Sequence, residues 1–382
     1  MDGQTGVRAV TVRRGDVVAL RSVTLLADPG ELVVVLGASG SGKSTLLRTV
    51  AGLLPVVSGE VMIAGEPANG LGPGERRVAM VFETGALIPF LDVATNLGWG
   101  LRARHVPQPE VDRRVAGRAA QFRLGKLLRR RPDTLSEGER GLVEIGRALV
   151  QTPRAFLLDE PLSHLDAAER LRVRRRIVEV VRSLDVATLY VTHDPTEALA
   201  VADRVALLHE GTVLQDGPPR SLYERPVSLL AAASVAPIGL VPARLVYADG
   251  LAGYRVGRHT LPLWGPAPSE VDGDRPVVLG FRPEDVQPGS APPGDRSSDA
   301  VALEAVVTAV EYLGRSQAVT LAVGAPPVTA PGAGLAAPGG ATLRALWPPH
   351  ETVRPGDATR VAVDARRAHV FDAVTGAALH HP

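Results

Sequence analysis

Leu32-Val33-Val34-Val35-Leu36-Gly37-Ala38-Ser39-Gly40-Ser41-Gly42-Lys43-Ser44-Thr45 decides the fold. Its first five residues are apolar and rich in valine, the composition of a strand buried on both faces of a parallel sheet. Downstream, Leu46, Leu47 and Val50 fall at helical spacing and Gly52 supplies a stop. The intervening Gly37–Thr45 contains G-x-x-x-x-G-K-[ST], a loop whose backbone N–H groups and following helix N-terminus cradle phosphate oxygens while its lysine reaches the terminal phosphates. In that motif Ser44 holds Mg²⁺. The 42 basic residues include only two lysines, Lys43 and Lys126. A compact ammonium suits a tight phosphate loop where a planar guanidinium does not, so a lysine here makes chemical sense.

A chain of 382 residues is too long for one typical core and predicts two domains. The formal net charge of +1 gives no reason to expect a nucleic-acid partner. Arg129-Arg130-Arg131 and Arg174-Arg175-Arg176 read as solvated helix faces. Cysteine is absent, which excludes disulfides, thiolate metal sites and thiol catalysis. Met1-Asp2-Gly3-Gln4 has neither a basic nor an apolar region of a secretory signal. No apolar run approaches the roughly 18–20 residues of a membrane span. The expectation is a soluble, cytoplasmic protein, brought to a membrane only by another subunit.

Around the phosphate loop the pattern predicts strands at Val7–Val12, Val17–Leu26, 57–64 and Val78–Phe82, with turns at Gly15-Asp16 and Pro29-Gly30. Glu83 follows the last of these, at the edge where α/β sheets bind ligands. From about 85 to 135 a helical pattern takes over: Val111, Val115, Ala119 and Phe122 share one face, with arginines opposite. Leu135-Ser136-Glu137-Gly138-Glu139 leads into a helix with Leu142, Ile145 and Leu149 on one side. Phe156–Leu158 is a buried strand ending in Asp159-Glu160, and Ala187–Thr192 another ending in His193-Asp194. After about residue 230 the texture changes to short β runs, among them Val277–Phe281, Val301–Val310 and Arg360–Val363. Between them lie Pro- and Gly-rich loops such as 287–300 and 325–340, expected to be long and mobile.

With these motifs in place, the chain resembles the ATP-binding subunit of ABC transporters, and more narrowly the importer ATPases of the maltose and general sugar-uptake type. The resemblance covers nearly the whole chain. It makes Leu135–Glu139 the signature sequence, Phe156–Glu160 the Walker B strand with its glutamate, Ser163-His164-Leu165-Asp166 the D-loop and His193 the switch histidine. Gly280-Phe281-Arg282-Pro283-Glu284-Asp285 and His369-Val370-Phe371-Asp372 are similar to marks of that subfamily's regulatory domain. The implied fold is an α/β P-loop NTPase (ABC ATPase) domain over 1–235 with a helical subdomain, then an all-β OB-like regulatory domain over 236–382. The implied cofactors are ATP and Mg²⁺. Asp159 suits Mg²⁺, a hard cation that takes oxygen ligands. Glu160, on the opposite side of the strand, polarises the attacking water, and His193 senses the γ-phosphate. Ser136, Gly138, Glu139 and Asp166 join Gly37–Thr45 among the nucleotide-binding positions.

Three positions depart from the family pattern. Where an aromatic residue usually stacks on adenine this chain has Arg14, which either stacks its guanidinium plane or is a plain exposed strand residue. Glu83 replaces a glutamine, keeping an oxygen ligand for Mg²⁺ but losing an amide donor. The signature usually reads Leu-Ser-Gly-Gly-Gln. Here Ser136-x-x-Glu139 is also a capping box. Otherwise Glu137 and Glu139 lie beside a triphosphate, where at about 8 Å and an effective dielectric of about 20 each unit repulsion costs on the order of 2 kcal/mol.

The reading is therefore an ATPase subunit that pairs as a homo- or heterodimer, sandwiches two ATP molecules and drives separate transmembrane permease subunits, with a solute-binding protein acting indirectly. It would sit peripherally on the cytoplasmic face of the membrane, with sugar the cargo by resemblance and polyamine or metal ion the alternative. A regulatory subunit with weak hydrolysis is the rival that the acidic substitutions suggest. A soluble ABC ATPase acting on nucleic acid is disfavoured by the charge balance.

Overall fold

The computed structural model describes residues 3–85, 87–248, 251–263, 275–289, 300–324 and 341–382. Contacts divide the chain into Met1–Pro219 and Arg220–Pro382. The first unit runs β1 (Thr5–Arg14), β2 (Val17–Ala27), β3 (Leu32–Leu36), α1 (Lys43–Val50), β4 (Ser58–Ile63), β5 (Glu66–Pro67), β6 (Val78–Val81), α2 (Val93–Arg102), α3 (Gln108–Gln121), α4 (Glu137–Leu149), β7 (Ala155–Asp159), α5 (Ala167–Arg182), β8 (Ala187–Thr192), α6 (Pro195–Val201), β9 (Arg204–His209) and β10 (Thr212–Gly217).

Six strands form one sheet in the order β10-β9-β3-β8-β7-β6. All its pairings are parallel except that of β10 with β9. Every residue of β3, β7 and β8 is buried, which is why these segments read as continuous apolar runs without alternation. A second, antiparallel sheet has the order β2-β1-β4-β5. Val7, Leu20 and Leu25 from that sheet share a core with Leu46, Leu47 and Val50 of α1 and with Val33, Val35, Leu189 and Val191 of the parallel sheet. The helix after the phosphate loop is thus clamped between two sheets.

In the helical insert, α3 buries Val111, Val115 and Ala119 as its spacing predicts, and Phe122 is buried just beyond the helix end. The helix that follows, α4, packs against α2, with Gly146 set beside Leu97. That helix buries Val143, Ile145 and Leu149, and Leu142 is only half-buried.

A short helix, Pro219–Glu224, starts at the last residue of the first unit and otherwise belongs to the second, where a second short helix, Leu229–Val235, follows. Antiparallel strands follow in the spatial order Val286–Pro288, Ala358–Asp364, Ala300–Tyr312, Gln317–Val323, Ala341–Trp347, Gly239–Ala248, Arg275–Phe281, His369–Asp372 and Ala378–His380. The hairpin Leu251–Val256 and His259–Pro262 branches from Gly239–Ala248. Buried Trp347 donates its indole N–H to Val286 O at 3.1 Å, tying the first strand of this path to the fifth. The sheet consequently curls into a half-barrel around Val241, Leu279, Leu303, Leu321, Leu343 and Val361. The strands expected at Val277–Phe281, Val301–Val310 and Arg360–Val363 are all present. Of the expected loops 287–300 and 325–340, residues 290–299 and 325–340 lie outside the described residues.

The observed division lies at 219/220, earlier than the 235/236 expected. The reason is packing: Leu229 and Ala232 of the second short helix share a core with Val278 and Phe371.

Candidate functional site

Parallel strands end together, so the carboxyl ends of β3, β6, β7 and β8 deliver Gly37, Phe82, Asp159 and His193 to one edge of the sheet. Backbone geometry shapes the loop after β3. A Cβ on Gly37 would lie 2.3 Å from Leu208 O and 2.7 Å from Ser41 Oγ. Gly42, at φ 109°, caps α1, and a Cβ there would meet Ala19 O at 2.8 Å. A side chain at either place would push the loop off its supports, so the backbone itself forms the cradle. Lys43 is buried and its ammonium donates to Gly37 O at 2.8 Å and Ala38 O at 2.9 Å, which centres the charge over the loop. Burial lowers its pKa, against the opposing pull of Glu160, Asp159 and Glu83. Ser41 is buried with its hydroxyl oxygen unpartnered by protein, a polar group left for a ligand.

Ser44 Oγ donates to Asp159 Oδ1 at 2.9 Å. Burial raises the pKa of Asp159, partly offset by that hydrogen bond and by Arg48. Glu83 sits exposed in the turn after β6, with its charge felt at both Lys43 and Asp159. A hydroxyl, a buried carboxylate and a nearby second carboxylate form an all-oxygen donor set, which fits a hard divalent cation such as Mg²⁺.

Glu160 lies beyond the end of β7 and turns away from Asp159. His193 Nδ1 donates to its Oε2 at 2.6 Å, and Lys43 Nζ is 3.9 Å from its Oε1. One carboxylate thus touches both the phosphate-loop lysine and the imidazole. Arg14 is exposed at the end of β1, in the hairpin whose Ala19 and Leu20 press against Gly42.

Ser136 is the N-cap of α4 and the capping box is formed: Glu139 N–H donates to Ser136 Oγ at 3.2 Å and Ser136 N–H to Glu139 Oε2 at 3.1 Å. Arg130 approaches the same oxygen of Glu139 at 3.8 Å. Glu137 lines a cavity of about 130 Å³ with Glu83, Arg140, Glu144 and Glu160. Asp166 caps α5 through its side chain, accepting from Ala168 N–H and Glu169 N–H, both at 2.9 Å. The sequence reading missed Glu169, whose carboxylate takes Ser136 Oγ–H and Gly138 N–H. Its one-dimensional signal was hidden, because Asp166-x-x-Glu169 is what any helix start looks like.

Among the described residues, no helix is long and apolar enough to cross a membrane. Residues 20–163 match the ABC transporter family. The chain is 36% identical over 359 residues to an sn-glycerol-3-phosphate import ATP-binding protein of Agrobacterium fabrum, covering 94% of this chain and 95% of the relative. It is 40% identical over 358 residues to another of that name from Cereibacter sphaeroides, covering 93% of each. A trehalose/maltose import ATP-binding protein of Thermococcus litoralis is 36% identical over 393 residues, covering 98% of this chain and 99% of the relative. The phosphate loop, the Ser44–Asp159 and Glu160–His193 pairs and these full-length likenesses agree: the chain belongs to the ATP-binding subunits of ABC importers, ATPases that work with permease partners.

Proposed function

We propose that this subunit pairs face to face with a second ATPase subunit, identical or related, so that each phosphate loop meets the other copy's Ser136–Gly138. ATP hydrolysis would then open the pair and move permease subunits on the cytoplasmic face of the membrane. The cargo is a sugar or a phosphorylated polyol, the classes named in the relatives. The observation that carries the reading is the convergence of Lys43, Ser44–Asp159 and Glu160–His193 on one sheet edge. Lys43 would hold the terminal phosphates, Ser44 and Asp159, with Glu83 nearby, would hold Mg²⁺, and Glu160 would accept the proton of the attacking water while His193 orients it. A bound Mg²⁺ supplies charge neutralisation on the phosphate oxygens. The formed Glu160–His193 pair also weighs against a regulatory subunit with little turnover.

The test is ATPase turnover and nucleotide binding of the purified chain. Lys43→Ala weakens ATP binding by about 100-fold. Glu160→Gln retains binding, loses at least about 100-fold in turnover and accumulates an ATP-bound dimer by size measurement. Parental turnover in Glu160→Gln would remove Glu160 from this role, and unchanged affinity in Lys43→Ala would sink the phosphate-loop assignment.

A further inference from the structure

Glu169, in the first turn of α5, spans the start of α4 with both carboxylate oxygens. Ser136 Oγ donates to its Oε1 at 2.9 Å and Gly138 N–H to its Oε2 at 3.3 Å. The side chain is 23% exposed, and its own backbone N–H is fixed by Asp166 Oδ1. A carboxylate at a helix N-terminus, bound through two oxygens, is the arrangement a phosphate would adopt there. Ser136 has one O–H and Gly138 one N–H, so both donors are used up by this contact.

On the proposed reading, on which this inference rests, those same two groups receive the γ-phosphate carried by the second subunit. We propose that Glu169 is an internal competitor for that phosphate: it occupies the signature donors in the lone subunit and must leave before two subunits close. Glu139 is different, since it accepts from the backbone N–H of Ser136 and leaves the outward donors alone. Arg172, one turn along α5, already reaches Glu169 Oε1 at 3.4 Å and, being 62% exposed, can keep the carboxylate as it rotates outward. Release therefore needs a side-chain rotation on α5, with no backbone rearrangement, and Glu169 sets the ATP concentration at which the subunits pair.

The experiment titrates MgATP against dimer formation, read by size, in the Glu160→Gln background. Adding Glu169→Ala lowers the half-maximal ATP concentration about tenfold, and Glu169→Gln, which removes the charge and keeps the shape, lowers it about threefold. The gain shrinks at high salt, where screening weakens the competing charge. Nucleotide affinity of the lone subunit, measured at protein concentrations too dilute to pair, stays constant. Glu179→Gln on the same helix changes nothing. If Glu169 only braces two helices, its loss lowers the melting temperature and raises the ATP requirement, and the proposal falls. An unaltered ATP requirement overturns it too, leaving the face-to-face pairing intact. Absence of any ATP-driven dimer, with Glu169 present or replaced, overturns the pairing itself and the competitor role with it.

Discussion

Glu160 is held at φ 47°, a left-handed conformation that costs a glutamate about 1–3 kcal/mol. The strain has a visible product. It sends two consecutive carboxylates apart, Asp159 to Ser44 and Glu160 to His193, and hydrogen bonds from Glu160 N–H to Val191 O and from Ser163 N–H to Glu160 O hold the reversal. Strand periodicity anticipates the same separation by another route, since it treats Glu160 as one more strand residue, whereas the strand stops at Asp159. That Lys43, Ser44, Asp159, Glu160 and His193 meet at one edge could be anticipated from sequence, because each ends or follows a buried strand of one parallel sheet. The contact of Glu169 could not, because sequence does not say which neighbouring helix a first-turn carboxylate will reach. A second residue-scale consequence lies in the other unit. His369 is buried with its Nδ1 3.4 Å from His381 Nδ1, and burial, then Arg282 and His381, push its pKa from 6.5 down to about 4. As pH falls below 6.5, the unfolded chain takes up a proton that the folded chain refuses. Stability is therefore full above 6.5 and drains toward pH 4, by up to about 3 kcal/mol from this group. Urea unfolding of the second unit's signal at pH 7.5 and pH 5 should show the loss, and His369→Gln should flatten it. An equal pH dependence in the variant would assign the loss to other groups.

At the scale of elements, α4 shows how one motif serves two physical ends. Ser136-Glu137-Gly138-Glu139 starts the helix through a reciprocal cap and also presents its outward donors to whatever approaches the first turn. The cap uses a lone pair of Ser136 Oγ and the ligand reading uses the O–H of the same hydroxyl, with Gly138 N–H, so one serine serves both and the sequence could not choose between them. Glu139→Ala should destabilise the first unit by about 1 kcal/mol, while Glu139→Gln, whose amide oxygen still accepts from Ser136 N–H, should be nearly neutral. Thermal melts compare them, and equal loss in both variants would mean that the charge, through Arg130, matters more than the cap. The stretch Gly280–Asp285 was legible only as a family resemblance, and its physical work emerges from contacts. A Cβ on Gly280 would lie 2.6 Å from Ile238 Cδ1, and the guanidinium of buried Arg282 donates to Tyr223 O, Ala232 O, Ala236 O and Pro237 O while stacking 4.4 Å over the Tyr223 ring. It gathers the ends of two short helices onto the strand Arg275–Phe281, four carbonyls around one fork.

For the whole molecule, the consequence is where the chain can be cut. The resemblance placed the boundary at 235/236, close to the change of texture near residue 230, which leaves the two short helices after residue 219 with the first domain. Their partners are elsewhere: Leu229 N–H donates to Gly376 O at 2.8 Å, and Leu229 and Ala232 pack with Val278 and Phe371. Composition cannot reveal this, since an apolar helix face does not name the surface it covers. Every residue assigned to phosphate, metal or water lies before residue 200, and the core that holds α1 between its two sheets is complete within the first unit. A fragment ending at Pro219 should therefore stay folded and keep basal ATPase turnover within about twofold, as expected of a unit with its own core. A fragment ending at residue 239 retains the same site but strips the cover from Leu229, Ala231, Ala232 and Val235, all at most 2% exposed in the full chain. It should aggregate or bind hydrophobic dyes, despite being the longer piece. Analytical size exclusion and turnover of the two fragments test the argument together. A longer fragment that is soluble and active, beside a shorter one that unfolds, would mean that the two helices complete the ATPase unit and that the division lies after residue 235.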